Sequence, residues 1–95
     1  MPFEWDAAKN AANIAKHGID FQQAATIFEG LVFERADDRQ DYGELRIQAF
    51  GLLDERVLTV VYTVRGTRHR IISARRAKKR EREAYRQAFP GQSSR

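Results

Sequence analysis

Two stretches of this 95-residue chain carry the side chains best suited to chemistry. The first is Lys16-His17-Gly18. His17 is a candidate general acid and Lys16 a candidate phosphate contact, although the same two cations would equally cap the end of a helix through its dipole. The second runs from Arg65 to Arg86 and holds ten Lys or Arg against two Glu. Its cations are Arg65, Arg68, Arg70, Arg75, Arg76, Lys78, Lys79, Arg80, Arg82 and Arg86. Eight of the ten are Arg, whose guanidinium grips two phosphate oxygens at once. A set of cations, a histidine, tyrosines and a few glutamates is enough to cleave RNA without a metal. RNA supplies its own nucleophile, the 2′-hydroxyl. The protein need only remove one proton, donate another to the leaving 5′-oxygen and stabilise charge on the phosphate. DNA lacks that hydroxyl, so if these residues are catalytic their substrate is RNA.

Other chemistries are excluded by composition. There is no cysteine, so no disulfide, thiolate nucleophile or cysteine zinc site. The two histidines, His17 and His69, lie on separate elements and make no His-x-x-x-His pair, which leaves no transition-metal site. Asp37, Asp38 and Asp41 do not follow a calcium-loop pattern and read as a solvated loop. Neither a glycine-rich phosphate loop nor a Gly-x-Ser-x-Gly elbow is present, which removes nucleoside-triphosphate and acyl-transfer enzymes. No metal and no cofactor are expected. The N-terminal residues have no signal-peptide pattern, and the longest apolar run is the length of a strand, so the expected location is the cytoplasm, away from membranes. The net charge of +4 conceals an asymmetry: the Arg65–Arg86 segment carries +8, and the remainder, with seven basic and eleven acidic residues, carries −4. Basic residues concentrated on ordered elements suit a polyanion; the plainer alternative is a solvated helix face with a charged hairpin.

The elements that must hold these residues follow from pattern. Phe3-Glu4-Trp5 reads as a short strand. Asp6 is an N-cap for a helix over 7–16, ended by Gly18. Asp20, with Gln23 three residues on, makes a capping box for a second helix from Phe21 to Glu29. Leu31 to Glu34 is a strand, and 37–43 an acidic loop. Leu45, Ile47 and Ala49 alternate with Arg46, Gln48 and Phe50, as in a half-buried strand. Asp54-Glu55 turns the chain. Val57 to Val64 is apolar and β-branched, which predicts a central strand. Arg65-Gly66-Thr67 is a hairpin turn leading into a strand over 68–74, and 77–89 is a basic helix. Tyr62, Tyr85 and Trp5 read as packing residues, and His69 as a packing or surface residue. The predicted order is β-α-α-β-β-β-β-α: a two-layer α+β domain over residues 1–89, with its helices packed on one face of a mostly antiparallel sheet and a flexible tail over 90–95.

Several motifs in sequence have a joint likeness. Phe3-x-Trp5-Asp6-x-x-Lys9-x-x-x-Asn13-x-x-Lys16-His17-Gly18-Ile19-x-Phe21-x-x-Ala24 resembles the opening of the BrnT family of toxins. Val60-Val61-Tyr62-Thr63-x-Arg65-Gly66, then Arg70-Ile71-Ile72-Ser73-Ala74-Arg75-x-Ala77, then Glu81-Arg82-x-x-Tyr85, resembles that family's second half. The resemblance implies a RelE-like fold and a ribonuclease toxin of a type II toxin–antitoxin system that cleaves mRNA and arrests translation. It also implies a BrnA-like antitoxin with a ribbon-helix-helix domain, a 2:2 complex, and contact with operator DNA only through the antitoxin. Under it, Arg70 and Arg75 are placed on phosphate with Lys16 beside them, His17 as the acid and Glu81 as the base. Arg46, Arg68, Arg76, Lys78, Lys79 and Arg80 are further RNA contacts. One departure stands out: the family often carries Thr where this chain has Lys78. Three successive cations in a helix's first turn oppose its dipole, and an anion bound there would offset them. The same basic surface would also suit a non-catalytic nucleic-acid-binding module or a protein-interaction module.

Overall fold

The structure, a computed structural model, describes residues 2–92. Strand β1 (Phe3–Trp5) leads into helix α1 (Ala7–His17). Asp6 caps α1 by accepting from the Lys9 amide at 3.0 Å, and Gly18 closes it with φ 70°, donating its N–H to the Ile14 carbonyl at 2.8 Å. The Asp20–Gln23 capping box then starts α2 (Phe21–Ala25). This helix tightens into a 3₁₀ turn over Thr26–Glu29, where the Thr26 hydroxyl donates back to the Gln23 carbonyl at 2.6 Å. Strands β2 (Phe33–Ala36), β3 (Ile47–Leu53), β4 (Arg56–Arg65) and β5 (Arg68–Arg76) follow, then helix α3 (Lys79–Ala88). Strand β2 starts two residues later than its apolar run suggests, and Leu45 lies exposed ahead of β3. Of the expected tail, residues 93–95 lie outside the described residues.

The five strands order as β1-β5-β4-β3-β2. β1 runs parallel to β5, and every other pairing is antiparallel. The α+β class and the element order are those expected from the sequence. The helices, however, divide between the two faces. Side chains alternate across each strand, so Ala49, Leu58, Val60, Ile71 and Ala74 face one way and pack under α1 and α2 with Phe21, Ala24 and Ile27. Gly51 lies on this face, and a Cβ there would come within 2.9 Å of Ile27, so a side chain at that position would push the 3₁₀ turn off the sheet. Phe50 and Val57 face the other way, with Phe33 and Leu52 beside them. This second apolar strip needs its own cover, which α3 supplies through Tyr85, with Ala77 and Phe89 just beyond its two ends. Tyr85 is buried and donates its hydroxyl to the Leu31 carbonyl at 3.1 Å.

β1 covers only residues 69–71 of β5. Beyond it the open edge of β5 is closed by one side chain. The Asn13 amide donates to the Ala74 carbonyl at 2.9 Å and accepts from the Ala74 amide at 3.1 Å, as a neighbouring strand would. It also donates to the Ile19 carbonyl, which fixes the turn after α1.

Candidate active site

The α3 face of the sheet is only half covered. Its open half takes the residues that strand alternation aligns there: Arg35 on β2, Gln48 on β3, Val61 on β4, and Arg70, Ser73 and Arg75 on β5. Strict alternation would put Arg70 and Arg75, five residues apart, on opposite faces. An irregularity at Val61/Tyr62 resolves this: Ser73 pairs with Val61 and Ile71 with Tyr62, so Ile72 is an extra residue and Arg70 and Arg75 share a face.

The floor of this face, the Arg35 side and the start of α3 together enclose a cleft of about 440 Å³. Arg35, Arg39, Arg75, Lys78, Lys79 and Arg80 surround it, with Gln48 and Glu81. Glu81 is the sole carboxylate on its wall, and its oxygens are occupied. Arg75 grips it with two hydrogen bonds, at 2.8 and 2.9 Å. The Lys78 amide donates at 2.7 Å and the Thr59 hydroxyl at 3.0 Å, and Arg35 stands 3.8 Å away. Burial alone would raise the Glu81 pKa. The bonds from Arg75, Lys78 and Thr59, together with the Arg75 charge, outweigh it and hold the carboxyl at about 2. Such a group is a weak base, and its geometry is that of an anchor that aims Arg75. The Glu81–Lys78 bond is also half of a capping box for α3; Lys78 has no acceptor with which to supply the other half.

The remaining residues singled out from sequence spread around this cleft. Arg70 shares its face and is ion-paired with Glu4 at 2.7 Å. Arg46 lies over the Tyr42 ring at 3.9 Å and pairs with Glu44 at 3.3 Å, in the β2–β3 loop. Arg68 sits opposite Arg65 at the far hairpin, roughly 20 Å along the strand from Arg75. Arg76 faces away, toward Arg56 and Leu58. Lys16 and His17 line a separate hollow at the open edge of β5, with Lys9, Asn13, Ile72 and Ser73. Burial, then the charges of Lys16 and Arg75, lower the His17 pKa, so at neutral pH the ring is mostly uncharged. Asp37 is buried and clamped by Arg39 at 2.7 and 2.8 Å, which ties the loop above the cleft to a cation. His69 packs among Phe3, Phe28 and Tyr62.

Sequence reasoning missed Arg35 and Arg39. Arg35 lies one residue past the predicted end of its strand, and Arg39 sits in a loop whose composition is acidic. Placing β2 two residues later would have aligned Arg35 with Gln48.

A cation-walled cleft with a buried arginine–glutamate clasp is an arrangement for holding phosphate. The family model for the ribonuclease toxin BrnT of type II toxin–antitoxin systems matches residues 5–81. The chain belongs to the BrnT toxin family. Among solved structures it is similar to the ribonuclease toxin BrnT of Brucella abortus, determined at 1.1 Å resolution, with a TM-score of 0.62 and 29% identity over 83% of this chain and 99% of that one. No curated protein matches it. As a member of this family the chain is a ribonuclease toxin, with RNA as substrate and an antitoxin as partner. No helix among the described residues is long and apolar enough to cross a membrane.

Proposed function

We propose that this BrnT-family chain is a metal-independent endoribonuclease of the cytoplasm. In this reading a single domain over residues 1–89 cleaves mRNA in the cleft between the sheet and α3, and so arrests translation. The observation that carries the reading is the Arg75–Glu81 clasp. It fixes a guanidinium, at about one-fifth side-chain exposure, on a wall whose other charged side chains, Glu81 apart, are all cations. Arg35 and Arg75 hold the scissile phosphate and neutralise charge as the 2′-oxygen attacks phosphorus and the bond to the 5′-oxygen breaks, while Arg70, roughly 13 Å along the same face, contacts a flanking phosphate. The proton from the 2′-hydroxyl leaves to water. An ammonium in the first turn of α3, Lys78 or Lys79, donates one to the 5′-oxygen. Glu81 is a positioning residue here and not the base. His17 and Lys16 contact RNA at the strand edge, outside the cleft.

The partner in this reading is a BrnA-like antitoxin with a ribbon-helix-helix domain, in a 2:2 complex that reaches operator DNA through the antitoxin. Such a partner would compete with RNA for the basic face.

The deciding experiment incubates the purified protein with labelled mRNA in EDTA, with and without ribosomes. The expected result is cleavage in EDTA, with products carrying a 2′,3′-cyclic phosphate. Binding without cleavage under both conditions would reduce the protein to a binding module. Cleavage abolished by EDTA would overturn the metal-free route.

A further inference from the structure

Arg76 leaves the cleft cations because of strand alternation. Arg75 pairs with Thr59 and faces α3, while Arg76 pairs with Leu58 and faces the opposite side. Arg56 and Arg76 both line two adjoining hollows, the first on that side and the second at the end of the sheet, where residues of the α3 face also bound it. One, of about 410 Å³, runs beside Gly18, Ile19 and Gln23, with Asp54 on its wall. The other, of about 350 Å³, is bounded by Val57, Ala77 and three arginines: Arg56, Arg76 and Arg82. Among the described residues, no carboxylate lines this second hollow. Arg82 is held in place by donating to the Ala77 carbonyl at 2.8 Å.

Arg56 pairs with Leu53 on the next strand, and Arg76 lies diagonally across from Arg56. Both side chains are exposed, and long side chains on such a diagonal can reach a common ligand. The three arginines and the cleft cations meet at the same corner, where β5 passes through Ala77 into α3. Consecutive residues, Arg75 and Arg76, open onto the two sides of that corner.

We infer that Arg56, Arg76 and Arg82 form a second phosphate-binding surface, and that one RNA strand held in the Arg75 cleft continues round the β5–α3 corner onto it. This rests on the nuclease reading above and adds the path of the flanking nucleotides. RNA fits better than an acidic protein segment because the surface continues a phosphate site along the same strand end. Three of the five residues that wall the second hollow are arginines. Contacts here are to backbone phosphates, so they lengthen the bound segment without reading its sequence.

The test uses 2′-O-methyl RNA oligomers of three and twelve nucleotides, whose blocked 2′-oxygens prevent cleavage. Affinities are measured over a salt series for wild type and for Arg56→Gln/Arg76→Gln. Arg82 is left intact because it holds the Ala77 carbonyl. The expected result is that the double variant binds the twelve-mer about tenfold more weakly, with a salt slope lower by about 1.4, as for two lost phosphate contacts on a single strand. Trimer affinity stays at the wild-type value. Equal loss for both lengths, or no loss for either, overturns the inference. So does a variant that keeps its twelve-mer affinity but no longer binds the antitoxin, since the surface would then belong to a protein partner. A wild-type protein that binds neither oligomer removes the nuclease reading itself, whereas normal wild-type binding with an unaffected variant removes only the second surface.

Discussion

The two faces of this sheet are built to opposite ends. Under α1 and α2 the face is closed: Phe21, Ile27, Val60, Ile71 and Ala74 are 1% exposed or less, and the β5 edge beyond β1 is satisfied at Ala74 by the Asn13 amide. Under α3 half of the face is closed in the same way, by Phe50, Val57 and Tyr85, and half is left to Arg35, Gln48, Arg70 and Arg75. The border between the two halves is the Thr59–Arg75 pair, and Glu81 reaches down to both. A domain this small cannot spare a whole layer for function. It stakes its stability on one face and sets its chemistry at the margin of the other, where α3 stops.

That contrast is sharpest under core truncation. Phe21→Ala removes a fully buried ring from the closed face and should destabilise the protein by about 3–5 kcal/mol, read by urea unfolding. The molecules that remain folded should cleave RNA at the wild-type rate. A fall in specific activity per folded molecule would show that the two faces are coupled after all.

The converse change is Arg75→Ala. Cleavage should fall roughly 10²–10³-fold, the usual effect of removing one transition-state charge donor. It also strips Glu81 of its main partner and leaves a buried carboxylate exposed to the cost of burial, so stability drops as well. Pairing it with Glu81→Gln should restore most of the stability and none of the cleavage. If Arg75→Ala alone remained fully toxic, the clasp would be structural and the active centre would lie elsewhere.

Acid should loosen the clasp, and with it the Asp6 helix cap and the Asp37–Arg39 pair, whose carboxyl pKa values are also lowered. Glu81 has a folded pKa of about 2 against a reference of 4.5. A depressed carboxylate contributes stability that is complete above the unfolded pKa and is lost as pH falls toward the folded one. The protein should therefore weaken between pH 4.5 and 2, by on the order of 3 kcal/mol. Glu81→Gln should be less stable than wild type at pH 7 and should lose less over that window. Its pH–rate profile for cleavage should keep the wild-type shape, because the residue positions Arg75 and does not take a proton. Loss of an ionisation from that profile would return Glu81 to the role of base.

Most of the closed face was legible in the sequence, because caps and periodicity are local. Asp6, Gly18, Asp20 with Gln23, and the β-branched run through Val60 each announce their element within a few residues. The cleft depends on non-local features. Arg75 on its wall and Arg70 beyond it share a face only because Ile72 is extra, and the extra residue is fixed by pairing with β4. Arg35 joins them only through its register with Gln48 across a ten-residue loop. The separation of Arg76 from Arg75 follows from simple alternation. A run of charge along the chain hides it, because neighbours on a strand point to opposite faces.

The mildest test of the contrast lies at Lys78, where stability and binding should move in opposite directions. Lys78 occupies the N-cap position of α3 with extended backbone, φ −76° and ψ 166°, which is the conformation a capping side chain needs. Its amide already donates to Glu81 at 2.7 Å, so only the reciprocal acceptor is missing. Lys78→Thr supplies that oxygen and removes a cation that the helix dipole disfavours, and should stabilise the fold by about 1 kcal/mol in thermal unfolding. It also takes one positive charge from the cleft wall, so the salt slope for RNA binding should fall by about 0.7 and affinity severalfold. A variant that gains stability and keeps its RNA affinity would mean that Lys78 touches no phosphate, leaving Lys79 as the ammonium that donates to the leaving oxygen. A variant that loses both would mean that the lysine stem packs against the cleft wall, and that the trade between cap and charge does not operate at this helix.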